Sequence, residues 1–142
     1  MNYKPQQTLS SKEIEGVMSL YSNGRLQEAI DAIKVLNNQH PNVPLLFNLL
    51  GACYKELGDF AAAEQMFETA TKIKPDYAEA HFNLGVIFKG YGKLTEAVEC
   101  FKRAITILPN YPDAHNNLGN TLGELGQQKA FCCPNSPKVF PR

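Results

Sequence analysis

Apolar residues recur three or four positions apart in two helix-length segments, residues 45–57 and 60–73, and the same pattern returns within residues 78–111. This spacing predicts amphipathic α-helices. Gly58-Asp59 separates the first two segments and Gly92-Lys93 separates the next two. Glycine readily adopts the positive φ that ends a helix, so the chain is expected to form pairs of helices joined by tight turns.

Two consecutive stretches, residues 44–77 and 78–111, match each other when residue 44 is placed on residue 78. We call this displacement, from residue 44 to residue 78, the repeat offset. A repeat of this length is typical of stacked helical repeats, in which each helix pair buries its apolar face against its neighbours. Small residues at matched positions are expected to let two backbones approach, with a phenylalanine filling the space beside them. The matched pairs are Leu50-Gly51 with Leu84-Gly85, Gly58 with Gly92, Ala63 with Ala97, Phe67 with Phe101, Ala70 with Ala104, and Pro75 with Pro109.

With Tyr54 and Phe88, these residues resemble the tetratricopeptide repeat (TPR) family, whose motif places the same residue types at the same spacing. The likeness covers about residues 10–126. It implies an all-α fold: a right-handed α-solenoid of helix–turn–helix repeats, with three full repeats and one helix of a fourth. The repeats are similar to those of O-GlcNAc transferase and of bacterial TPR-bearing transferases. The expected units are residues 10–43, 44–77, 78–111 and the partial repeat 112–126.

The first repeat diverges in its first helix, where Gly16-Val17 stands in place of Leu-Gly. Ser10 and Glu13 have the spacing of a capping box, which predicts that a helix starts there. Pro41 lies one repeat offset before Pro75 and marks the end of this repeat. The polar residues 1–9 are predicted to be disordered.

The repeat pattern stops after Gly126. Residues 127–142 include three prolines, so we predict an irregular tail in place of a second helix. Leu118, Leu122 and Leu125 would then have no partner helix. A truncated or frame-altered end of a longer solenoid is the favoured interpretation, and a tail that folds back as a cap is the alternative. The open end is also expected to promote self-association.

Composition argues against several classes of function. Lysine and arginine number 14, as do aspartate and glutamate, and a formal net charge of zero does not favour a general binder of nucleic acid or of anionic membranes. No apolar run is long enough to span a bilayer, and the N-terminus does not resemble a signal peptide, so a cytoplasmic location is predicted. The cysteines, which lack zinc-site spacing, are expected to be free thiols: Cys53, Cys100, Cys132 and Cys133.

The sequence contains no motif for catalysis. It has neither a nucleophile elbow nor a glycine-rich phosphate loop, so no enzymatic activity and no cofactor are expected. His81 and His115 lie one repeat apart, too far to share a metal ion, and are expected to take part in helix packing.

The TPR resemblance implies that the first helix of each repeat lines a concave groove, which binds an extended peptide or a short helix. Asn83 and Asn117 are one repeat offset apart, each just before Leu-Gly, and three more asparagines lie on the same or neighbouring faces. An asparagine amide both donates and accepts hydrogen bonds, so it can hold a peptide backbone. The arrangement resembles the asparagine ladder of O-GlcNAc transferase, although Leu49 interrupts it. The alternative is that these residues are simply solvated: Asn48, Asn83, Asn116, Asn117 and Asn120.

Lys55 and Lys89 are also one repeat apart, on the helices that carry the asparagines. They are predicted to pair with carboxylates of a partner and so to favour acidic segments. The alternative is that they are ordinary surface lysines.

The sequence therefore predicts a protein–protein interaction module or scaffold that binds a peptide or protein segment in the groove of a TPR solenoid. One alternative is the N-terminal substrate-docking portion of a longer glycosyltransferase or sulfotransferase, truncated here. Another is a purely structural assembly factor.

Overall fold

The computed structural model describes residues 8–132, with side chains as far as residue 130, and this part of the chain is entirely helical apart from its turns. It contains no strand, which confirms the all-α class. The helices alternate as the first and second members of successive pairs. They are α1 (Ser11–Ser22), α2 (Leu26–Gln39), α3 (Pro44–Glu56), α4 (Phe60–Ile73), α5 (Ala78–Gly90), α6 (Leu94–Ile107) and α7 (Pro112–Cys132).

Each of the three complete pairs turns at a glycine with positive φ. The φ angles are +74° at Gly24, +83° at Gly58 and +77° at Gly92. In the second turn the Asp59 N–H donates to the Tyr54 carbonyl at 2.9 Å, a bond that is repeated in the other two turns. Such a bond satisfies a carbonyl that the helix end leaves free. The turns predicted from the glycines are confirmed.

The two helices of a repeat meet where a glycine faces a phenylalanine. A Cβ placed on Gly51 would lie 2.6 Å from Cε1 of Phe67, and one on Gly85 would lie 2.6 Å from Cε1 of Phe101. Both phenylalanines are completely buried. The glycine therefore provides the space that the ring occupies, as the sequence pattern predicted.

The first repeat makes the equivalent contact with different side chains. Val17 stands at the position of Gly51 and Ile33 at that of Phe67, and both are buried in the first core cluster. Compared with the second repeat, α1 thus has a larger residue at this contact and α2 has a smaller one. The divergence of this repeat roughly conserves the total volume of the contact, which a close-packed interior requires.

The repeats stack so that their first helices lie side by side. Helix α3 contacts α5, and α5 contacts α7, in addition to the contacts between consecutive helices. This is the solenoid of stacked helix pairs predicted from the sequence. Residues at the same repeat position of α3, α5 and α7 consequently share one surface, on which the expected site residues lie.

The tail differs from the prediction over its first residues. Helix α7 continues through Gly126 to Cys132, so residues 127–132 are helical and not irregular. Gln127, Gln128, Lys129 and Ala130 are good helix formers, and none is apolar enough to fold back onto α7. With nothing to stabilise a turn, the helix runs on. The remaining residues of the predicted tail, 133–142, lie outside the described part of the chain.

At the other end, the predicted capping box of α1 is present. The Ser10 N–H donates to Glu13 Oε2 at 2.8 Å, and the Glu13 N–H donates to Ser10 Oγ at 3.3 Å. Leu9 packs against the first core cluster. The disorder predicted for residues 1–9 is therefore wrong for Leu9, and residues 1–7 lie outside the described residues.

Candidate functional site

Two of the predicted groove asparagines are bonded to each other. Asn83 Nδ2 donates to Asn48 Oδ1 at 3.0 Å, which joins α5 to α3. Asn48 is only 1% exposed and Asn83 is 8% exposed. The expectation that Asn48 is available to a ligand is wrong, because it lies beneath the surface and its amide oxygen is already satisfied.

Tyr77 lies beside this pair, at the residue that precedes α5. The pKa of Tyr77 is raised to about 12, mainly by burial and also by the charge of Glu79, while a hydrogen-bonding contact with Asn48 opposes the rise. The hydroxyl therefore stays neutral at physiological pH. Tyr77, Asn48 and Asn83 form a polar cluster beneath the surface of α3 and α5.

The asparagines of α7 have different environments. Asn117 Nδ2 donates to the Asp113 carbonyl of its own helix at 2.8 Å. Asn116 and Asn120 are exposed. A continuous ladder would need equivalent asparagines with equivalent exposure. Asn83 and Asn117 share a repeat position, but one amide is bonded across helices and the other within its helix.

The two predicted lysines lie next to carboxylates of the protein itself. Lys89 Nζ is 3.7 Å from Glu124 Oε1, on the adjacent first helix, and Lys55 Nζ is 4.0 Å from Glu56 Oε1. Both lysine side chains are 26% exposed. These contacts reduce the positive charge on which the predicted preference for acidic segments depends.

A cleft of about 450 Å³ lies where α5, the end of α6 and the start of α7 meet. Phe82 forms its wall, with its ring centroid 5.1 Å from that of Tyr111 and 5.8 Å from that of Phe101. We call it the α5–α7 cleft. Its lining residues are Glu79, Phe82, Asn83, Leu108, Tyr111 and Asp113.

Tyr111 is half-buried in this cleft. Its pKa is raised to about 12, mainly by burial and also by the nearby charges of Glu79 and then Asp113. Both carboxylates contribute to the rise and therefore lie near the same ring. Apolar and aromatic surface is thus combined with two negative charges and the Asn83 amide.

Sequence reasoning singled out Asn83 among these residues but did not assign a site to the two carboxylates. Glu79 and Asp113 are one repeat offset apart, each at the second position of its helix. The repeat period was therefore a signal that could have found them. Leu108 had no such signal, because it follows the last residue of α6 and reaches the cleft only through the stacking of the repeats.

The histidines have a packing role. His81 Nε2 donates to the Pro75 carbonyl at 2.8 Å, and His115 Nε2 donates to the Pro109 carbonyl at 2.8 Å. Each thereby fixes the loop before its helix. Between residues 8 and 132, no group of three or more His, Cys, Asp or Glu residues has the arrangement of a metal site.

Within the described helices, none is both long enough and apolar enough to cross a bilayer. Cys53 is buried, and burial raises the pKa of its thiol. Burial raises the pKa of the half-buried Cys100 thiol to about 11. Both are free cysteines, and neither thiol is activated.

Several solved structures are similar to this chain. The first TPR of Spaghetti (RPAP3), bound to the HSP90 peptide SRMEEVD, is 25% identical with a TM-score of 0.76, over 84% of this chain and 98% of that one. The first TPR domain of human RPAP3 is 26% identical with a TM-score of 0.78, over 82% and 92%. The Sgt2 TPR domain from Aspergillus fumigatus is 18% identical with a TM-score of 0.82, over 98% and 96%, and supports the fold alone.

No curated protein matches the chain. The likeness to O-GlcNAc transferase is not confirmed by the structures named above. A family model described as TPR repeat matches residues 51–90 and 91–126, which together make up more than half of the sequence. The helix pairs, the glycine turns and the Gly–Phe contacts agree with that match, and the chain belongs to the TPR repeat family.

Proposed function

We propose that the protein binds an extended segment of a partner protein along the first helices of its repeats, with the α5–α7 cleft as the principal contact. The cleft itself carries this proposal, because it combines apolar surface at Phe82, Leu108 and Tyr111 with an amide that forms hydrogen bonds. Concave sites with few polar groups among apolar ones are typical of ligand-binding surfaces. The bound peptide in the similar structure of Spaghetti (RPAP3) supports a peptide ligand for this fold.

In this proposal the asparagines have unequal roles. Asn83 lines the cleft and uses one of its two N–H groups on Asn48, so it retains hydrogen-bonding capacity for a peptide backbone. Asn116 and Asn120 are exposed on α7 and extend the binding surface. Asn117 contributes less, since its amide is bonded within its helix.

The function is binding without catalysis. The TPR model and the structures named above describe repeat domains, and they give no support to the alternative of a glycosyltransferase or sulfotransferase portion. Support for the binding role comes from the arrangement of the cleft and from the family.

The test is to select short peptides from a random library on the full chain and to measure their affinity for variants by fluorescence anisotropy. Leu108→Ala removes exposed apolar surface from the cleft, and affinity is expected to fall about fivefold to tenfold. Leu57→Ala is the matched control, because Leu57 is 51% exposed and Leu108 47% exposed, but only Leu108 lines the cleft. Equal affinity of both variants and the wild type would refute the proposed site.

A further inference from the structure

The α5–α7 cleft carries negative charge that the protein does not neutralise. Glu79 and Asp113 both line it and both are exposed. Among the described residues, neither carboxylate has a lysine, arginine or histidine nitrogen within 4.0 Å, whereas Lys55 and Lys89 each have a carboxylate within that distance. The cleft therefore presents two anionic groups that have no ion-pair partner among the described residues.

The apolar wall of the cleft is suited to the stem of a long cationic side chain. The rings of Phe82 and Tyr111 lie 5.1 Å apart, and Leu108 is 47% exposed next to them. Lysine and arginine bury their methylene groups on such surfaces while the charged end stays near polar groups. A guanidinium or ammonium group is also attracted to the face of an aromatic ring.

A third, independent feature is Asn83. Its side chain is 8% exposed and lines the cleft, and its one hydrogen bond among the described residues is the one that it donates to Asn48. Its amide oxygen accepts no hydrogen bond among the described residues and is not fully buried, so it is open to a donor in the cleft. A peptide N–H or a cationic donor in the cleft would satisfy it.

We infer that the α5–α7 cleft recognises a lysine or arginine side chain of the bound segment, so that the partner is a basic peptide and not an acidic one. Glu79 and Asp113 bind the cationic end, Phe82, Leu108 and Tyr111 contact its stem, and Asn83 binds the neighbouring backbone. This inference rests on the peptide-binding function proposed above, and it assigns a charge preference opposite to that expected from Lys55 and Lys89 in the sequence.

The test uses three pools of fluorescein-labelled short peptides, whose flanking positions are randomised and whose central residue is arginine, citrulline or glutamate. Citrulline has the shape of arginine without its charge. The arginine pool is expected to bind about tenfold more tightly than the citrulline pool, as two charge-assisted contacts imply, and the glutamate pool should bind least. Raising the salt concentration should reduce the preference, because the carboxylates are exposed.

The variant Glu79→Gln, Asp113→Asn should bind the arginine and citrulline pools equally. Its matched control is Glu96→Gln, Glu99→Gln on α6, which changes the net charge by the same amount at exposed positions that do not line the cleft, and which should keep the preference. Circular dichroism melts of both variants check that the fold is intact.

The outcomes separate the two proposals. Equal binding of all three pools, weakened by Leu108→Ala, would overturn the charge preference and leave the peptide site in place. A preference that survives Glu79→Gln, Asp113→Asn would also overturn it. No binding of any pool would overturn both.

Discussion

Replacing Gly85 with alanine is expected to destabilise the protein by about 2 kcal/mol, the difference between the cost of overpacking and the gain in helix propensity. The new Cβ would lie 2.6, 2.8 and 2.9 Å from three ring carbons of Phe101. That ring is completely buried and also contacts Phe82, so it cannot rotate away into solvent. Overpacking of a core costs up to about 3 kcal/mol, and the gain from replacing a helical glycine with alanine is about 1 kcal/mol.

Gly119 provides a matched control at the same repeat position on α7. A Cβ placed there meets nothing within 4 Å, because among the described residues no second helix packs on this face. Gly119→Ala should therefore stabilise the protein by about 0.5–1 kcal/mol through helix propensity alone. Glycine-to-alanine substitutions at these two equivalent positions are thus expected to change the free energy of unfolding in opposite directions.

Urea denaturation followed by circular dichroism measures both effects, and Gly85→Ala should also lower the Tm by roughly 6–8 °C. Phe101→Leu supplies the coupling test. In the Gly85→Ala background it relieves the overlap, so the double variant should be at least about 1 kcal/mol more stable than the sum of the single effects predicts. The first repeat already combines a larger residue at Val17 with a smaller one at Ile33.

If Gly85→Ala were as stable as the wild type, or if its effect matched that of Gly119→Ala, the reasoning would be refuted. Either result would mean that α5 and α6 separate at little cost and that the Gly–Phe contact does not set their distance.

Three further predictions concern the polar cluster, the tyrosines and the exposed Leu122 of α7. Asn83→Ala leaves the buried Asn48 amide without its donor and should cost about 1–3 kcal/mol in urea denaturation, whereas the exposed Asn38→Ala should change stability little. Tyr77 and Tyr111 have a reference pKa of 10.0 and a folded pKa of about 12. The unfolded chain therefore loses these protons first, and the Tm should fall as pH rises above about 10, less so with both replaced by phenylalanine. Leu122 is 45% exposed on α7, so we expect concentration-dependent association in light scattering that Leu122→Lys abolishes; a monomer at every concentration would contradict this.

Much of the fold could be predicted, either from residues that act on their own neighbours in sequence or from residues that recur at the repeat offset. The capping box needs only Ser10 and Glu13, and a turn glycine needs only its own φ. The Gly85–Phe101 contact could be inferred because Gly51 and Phe67 repeat it at the same offset. Within complete repeats of a stacked array, identical residues at a fixed spacing make equivalent contacts between the two helices of a repeat, so the period carries this three-dimensional information.

The site depended on contacts that the alignment of the repeats does not indicate. Asn83 bonds to Asn48, and Lys89 approaches Glu124. In each pair the two residues occupy repeat positions that differ by one residue. Residues aligned by the period do not therefore contact one another in these pairs, and the buried state of Asn48 could not be read from its neighbours in sequence.

The sequence by itself determined the repeat, its turns and the helix contacts within each unit, since these depend on spacing and side-chain size. Only the tertiary structure decided which carboxylates stay unpaired among the described residues, which asparagines are buried, and that Leu108 joins Phe82 and Tyr111 in one cleft. It also decided that α7 runs past Gly126, where the next three residues, Gln127, Gln128 and Lys129, are polar and offer no apolar contact to stabilise a turn. The physical reason is that exposure and charge pairing depend on how neighbouring repeats are placed, and a single repeat does not contain that information.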